Sequence, residues 1–103
     1  MATRNRPALA QRVTTDAKSV HVALTDGRDL TIAFADHRFL RGATPVERRR
    51  CVVSDDGMAI WWPGLSEGIS VAGLLGVREA SLERLADEAR VRQGLLPARR
   101  RAI

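Results

Sequence analysis

Two histidines, one cysteine, an arginine cluster and an adjacent pair of tryptophans are the side chains here whose types could carry chemistry. His21 and His37 lie far apart in sequence, and neither stands at metal-ligand spacing from a second ligand. Asp36-His37 imitates an acid–base pair, but side chains adjacent in sequence rarely meet, so both histidines are expected at the surface. Cys51 opens an apolar segment, where a buried, inert thiol is expected. A catalytic cysteine needs a neighbouring base, and no arrangement supplies one. The sequence therefore predicts no catalytic residue, no cofactor and no metal site, and a protein that is not an enzyme.

The remaining candidates are contact residues. Trp61 and Trp62 are neighbours in a strand-like segment, so they must point to opposite faces. One belongs in the core; the other is either a partly exposed contact or packs beneath a C-terminal helix. Glu67, between Ser66 and Ser70, reads as a partner-contact loop or, preferably, as favourable charge beside a capped helix start. Arg41, Arg48, Arg49 and Arg50, with Arg38, form the densest basic cluster. It reads as a phosphate or acidic-partner patch, or as a solvated helix face paired with Asp36, Glu47, Asp55 and Asp56, and the second reading is preferred. Leu82 and Leu85, with Ala89, make an apolar stripe that either docks on its own sheet or recruits a second chain.

These residues need elements to hold them. Val20, Val22 and Leu24 alternate with Ser19, His21 and Ala23, and Leu30, Ile32 and Phe34 alternate with Thr31 and Ala33. Asp26-Gly27 between the two runs predicts a tight hairpin. A helical turn is expected over 36–41. Thr44-Pro45-Val46-Glu47 spells a capping box with proline at the first helical position, predicting a helix from Pro45 to about Arg50. Strands are expected at 51–53 and 58–62, joined by an Asp55-Asp56-Gly57 turn, with Pro63-Gly64 stopping the second. Ser70 should cap a short helix ended by Gly76, and Ser81 a longer one over 81–93.

The chain of 103 residues fits one domain, with 45% apolar and 28% charged residues, as in ordinary globular proteins. No apolar run approaches the ~18 residues that cross a bilayer. The first residues lack the apolar segment of a secretory signal, and one cysteine cannot form an internal disulfide, so a cytoplasmic location is expected. The net charge of +5 is concentrated at the ends. Arg4, Arg6 and Arg12 lie in residues 1–12, and Arg99, Arg100 and Arg101 in residues 97–103. Residues 13–96 are nearly neutral. The expected organisation is a flexible basic arm over 1–12, one domain over 13–96 and a basic tail over 97–103.

Several segments match a known pattern in order: Asp26-Gly27-Arg28, Ala43-Thr44-Pro45-Val46-Glu47-Arg48, Ile60-Trp61-Trp62-Pro63, Leu65-Ser66-Glu67-Gly68-Ile69-Ser70-Val71 and Gly73-Leu74-Leu75. Over about residues 13–76 the chain resembles the small bacterial family called domain of unknown function 2442. The resemblance implies a compact α+β domain and frequent occurrence beside another small gene, in pairs that look like toxin–antitoxin modules. It carries over no catalytic residue. Relatives usually have histidine where Trp61 stands, and Leu-Asp-Glu-Asp-Ile-Ser where this chain reads Leu65-Ser66-Glu67-Gly68-Ile69-Ser70.

The expected fold is thus α+β, with a small, mostly antiparallel sheet, a short capped helix and a C-terminal amphipathic helix. The expected function is binding to another protein, as the antitoxin-like member of a two-gene module whose partner is the product of the adjacent gene, or as a homodimer. The alternative is a nucleic-acid-associated protein whose arginine-rich tails bind weakly and without sequence preference. No membrane partner is expected.

Overall fold

A computed structural model describes residues 6–94 of the chain. The alternating segment after Lys18 forms β2 (Ser19–Leu24), which buries Val20, Val22 and Leu24 on one face. It pairs antiparallel with β3 (Asp29–Ala33), with Val20 opposite Ile32 and His21 opposite Thr31. The Asp26-Gly27 turn forms as the sequence predicts, with Gly27 at φ +93° and the Leu24 amide donating to the Arg28 carbonyl at 2.8 Å. Asp26 braces it by accepting from the Arg28 amide at 3.1 Å and from Nε at 2.8 Å.

The expected flexible arm over 1–12 is corrected at its second half. Ala8, Leu9 and Ala10 are buried, and β1 (Ala10–Thr15) runs antiparallel along β2. Leu9 exchanges hydrogen bonds with Thr25, its amide donating to Oγ1 at 3.2 Å and its carbonyl accepting from the Thr25 amide at 2.9 Å. A bulge between Ala10 and Arg12 shifts the register, so Ala10 and Val13, rather than residues two apart, meet the core. That irregular spacing hides the strand from a period-2 reading. Residues 1–5 and the basic tail over 97–103 lie outside the described residues.

A second antiparallel sheet follows the helical segment. Phe34–Asp36 is a 3-10 turn, α1 spans Arg38–Arg41 and α2 spans Pro45–Arg49. The Thr44 capping box is complete: Oγ1 accepts from the Glu47 amide at 3.1 Å and the Glu47 carboxylate accepts from the Thr44 amide at 2.8 Å. Then β4 (Val52–Val53), β5 (Ala59–Trp62) and β6 (Glu67–Ser70) pair in the order β4-β5-β6. The α+β class holds, but the single small sheet becomes two three-stranded ones. β6 escapes sequence reading because Ile69 is its one apolar side chain and Gly68 weakens the signal.

The two sheets meet where β1 begins. The Ala10 amide donates to the Gly57 carbonyl at 2.8 Å. A Cβ on Gly57, which sits at φ +75°, would lie 2.9 Å from the Ala10 carbonyl oxygen, so this turn requires glycine. Ser70 caps α3 (Val71–Leu75), accepting from the Gly73 amide at 3.2 Å. The last helix, α4 (Glu79–Arg92), starts two residues before the expected Ser81 cap. Ser70 Oγ donates to Glu79 Oε2 at 2.7 Å, tying that first turn to the end of β6. Leu82 and Ala86 of α4 enter the same core as Trp62, Leu24, Leu40, Ile60 and Leu75. Fully burying a leucine contributes about 1.5–3 kcal/mol, so α4 is part of the domain and not an appendage. No described helix is long and apolar enough to cross a membrane.

Candidate functional site

The tryptophan pair divides as strand geometry demands. Trp62 is 0% exposed; its Nε1 donates to the Arg48 carbonyl at 3.0 Å, and Phe39 meets its ring edge-on at 5.4 Å between centroids. Trp61 points the other way and remains 40% exposed. Val52, directly opposite it on β4, is 48% exposed. On its other side Trp61 faces Gly68 of β6, and a Cβ there would lie 2.9 Å from Trp61 Cε3. Val52, Trp61 and Gly68 therefore form one cross-strand row on the outer face of the second sheet, with the indole lying over the glycine.

Three expected contact residues need correction. Glu67 is not at a helix start: it belongs to β6, opposite Trp62, and α3 begins only at Val71. Leu82 is 0% exposed and Leu85 packs half-buried against the core, so the α4 stripe docks on its own domain.

The basic cluster splits in two. Arg48 donates from Nε to the Leu40 carbonyl at 2.8 Å and from Nη2 to the Arg41 carbonyl at 3.1 Å, and its guanidinium lies 5.6 Å from the centre of the Phe34 ring. Arg41 donates from Nη1 to the Ala35 carbonyl at 2.9 Å. These two arginines stitch the helical segment together. Arg49 and Arg50 are exposed. Two of the acids expected to neutralise the cluster are engaged elsewhere: Glu47 caps α2, and Asp56 accepts from Ser54 Oγ at 2.8 Å and from the Met58 amide at 3.0 Å.

His21 has a partner the sequence reading missed. Its Nε2 lies 2.6 Å from Asp16 Oδ2, and its Nδ1 lies 3.3 Å from Thr31 Oγ1. Asp16 Oδ1 also accepts from the amides of Lys18 and Ser19, both at 2.8 Å. The His21 hydrogen bond is the main cause that holds the Asp16 carboxyl below its ordinary pKa, with the Lys18 amide next. This acid–imidazole–hydroxyl line lies on the outward face of the first sheet, where it ties the β1–β2 turn to β3. The detectable signal was an aspartate five residues before an outward-facing strand histidine. His37 instead meets Phe39 edge-on at 6.1 Å. Cys51 is half-buried, and burial pushes its thiol pKa up, away from nucleophilic thiolate character. Among the described residues, no three His, Cys, Asp or Glu side chains gather to hold a metal ion.

The fold has a solved counterpart. A crystal structure of a protein of unknown function from Rhodospirillum rubrum superposes with a TM-score of 0.62 at 21% identity, covering 75% of this chain and 99% of that one. That likeness shows the shared fold. The comparison with curated proteins finds no match. The family model described as protein of unknown function (DUF2442) matches residues 10–80, and the chain belongs to that family.

Proposed function

We propose that this protein is a non-enzymatic protein-binding module whose partner covers the outer face of the second sheet around Trp61. The observation that carries the reading is the row formed by Trp61 and Val52, which leaves two large apolar side chains facing outward from a domain whose other tryptophan is fully buried. Trp is enriched among residues that dominate binding energy, because it buries a large area with few rotatable bonds. Gly68 carries no side chain, so the indole packs directly on β6 there and is held in place while 40% exposed.

The partner is the product of an adjacent gene, and this protein is the antitoxin-like member of the pair. Family context supports that step. A cytoplasmic location belongs to the same reading and is supported by the lone free thiol of Cys51. The test is co-expression with the adjacent gene and purification through a tag on this chain. Wild type should retain the neighbour's product, and Trp61→Ser should lose it while its far-UV circular dichroism spectrum stays that of the folded domain. Retention by Trp61→Ser equal to wild type would refute the assignment of this face.

A further inference from the structure

We propose that the cleft between the β1–β2 turn and the α1–α2 segment binds a small phosphate monoester with an apolar body, about the size of a mononucleotide. This site is separate from the Trp61 face and does not depend on it.

The cleft is built by local sequence. Asp16 Oδ1 accepts from the Lys18 and Ser19 amides at 2.8 Å each, which fixes the turn that carries Lys18. The Lys18 carbonyl accepts from the Phe34 amide at 2.9 Å, fastening that turn to the residue that follows β3. Arg41 and Arg48 come in from the helices, already held by the carbonyls of Ala35, Leu40 and Arg41. Lys18, Arg41 and Arg48 thus line one cleft of about 550 Å³, with Ala17, Ala33 and Ala35 as its apolar wall and the buried Phe34 ring, covered by Arg48, behind them. The volume falls in the range of roughly 300–1,000 Å³ typical of small-molecule sites.

The charge is uncompensated. No carboxylate is among the described residues that line this cavity. The ion pairs of the described residues engage Arg6, His21, Arg28 and Arg90, and none includes Lys18, Arg41, Arg48 or Arg49. An adjoining recess of about 170 Å³ shares Phe34 and Arg48 and adds Arg49 and Asp16. The Asp16 carboxylate there is already tied to His21 and two backbone amides. Three cations around one space call for a ligand with more than one negative charge. Guanidinium groups match phosphate oxygens in geometry, and arginines already held in place lose less freedom when they bind. The wall of Ala17, Ala33 and Ala35 suits an apolar body, and the cleft is larger than free phosphate would fill. An acidic peptide is disfavoured because its carboxylates would leave that wall uncovered.

The test is calorimetric titration of the full chain at low salt with AMP, adenosine and inorganic phosphate as probes. AMP should bind saturably, at least tenfold more tightly than adenosine or phosphate alone. Lys18→Gln and Arg41→Gln should each weaken AMP by about tenfold, the scale of one charge-assisted contact. Arg84→Gln, which removes the same charge from α4, should bind AMP as wild type does. Arg41 and Arg48 also brace the fold, so Lys18→Gln carries the test, Arg41→Gln is compared at a temperature where it is folded by circular dichroism, and no outcome depends on an Arg48 variant. The proposal is overturned if AMP does not saturate or if Arg84→Gln weakens it as much as the cleft variants do. It also fails if phosphate binds as tightly as AMP, or if hexaglutamate binds more tightly.

Discussion

Trp61 and Gly68 stand directly opposite each other on β5 and β6, and the indole covers the glycine so closely that position 68 has no room for a Cβ. The register makes positions 61 and 68 cross-strand neighbours, so an aromatic ring lies on a strand glycine. Packing an aromatic across a strand glycine covers backbone that the glycine leaves bare. With Val52 on the other side of Trp61, this part of the outer face is apolar.

Gly68→Ala should destabilise the domain by about 1–3 kcal/mol, because the new methyl meets Trp61 Cε3 and, at 3.2 Å, the Ile60 carbonyl oxygen. In a Trp61→Ala background the same change should cost less than half as much. Urea denaturation of the four proteins in the cycle measures the coupling. Equal costs in both backgrounds would show that the indole does not constrain position 68.

Deleting residues 1–10 should lower the melting temperature sharply. The deletion removes buried Ala8, Leu9 and Ala10 and the hydrogen bonds to Thr25 and Gly57. Leu9→Ala alone should cost about 2–5 kcal/mol, the usual range for a buried leucine. A truncated chain that melts with the full-length protein would return these residues to the status of a loose arm.

Leu82→Ala should likewise cost about 2–5 kcal/mol, and Leu82→Asp should unfold the domain. Far-UV circular dichroism distinguishes this from a role in association. A folded Leu82→Asp protein that has merely lost a partner would move α4 out of the core.

The Asp16–His21 pair sets a pH dependence whose sign is fixed. The folded carboxyl titrates below its ordinary value, chiefly because His21 bonds to it. Its contribution is therefore present above the unfolded carboxyl pKa and is lost as pH falls through the lower, folded one. His21→Gln should move the Asp16 titration back up, as read from its carboxyl carbon shift by NMR. An unmoved titration in the variant would mean that the 2.6 Å contact is not formed in solution.

Much of this architecture is written locally in the sequence. Thr44 and Glu47 cap α2, Ser70 caps α3 and Gly27 closes the hairpin, because each signal depends on residues within a few positions of one another. The tryptophan alternation foretold that one ring enters the core and left open whether the other is exposed or packed; Trp62 is the buried one and Trp61 the exposed one. What escaped reading is non-local. The bulge in β1 breaks the period that would reveal the strand, and β6 is a strand because Trp61 and Trp62 are there to pair with it. Only the folding of the β1–β2 turn against the helical segment brings Lys18, Arg41 and Arg48 together.

Acrylamide quenching of tryptophan fluorescence, with and without the adjacent gene's product, tests the proposed binding face most directly. Trp62 is buried and Trp61 exposed, so the free protein should show one inaccessible and one accessible population. Adding the partner should abolish the accessible one, with emission shifting to the blue. A complex that forms while Trp61 remains as accessible to quencher as before would contradict the account.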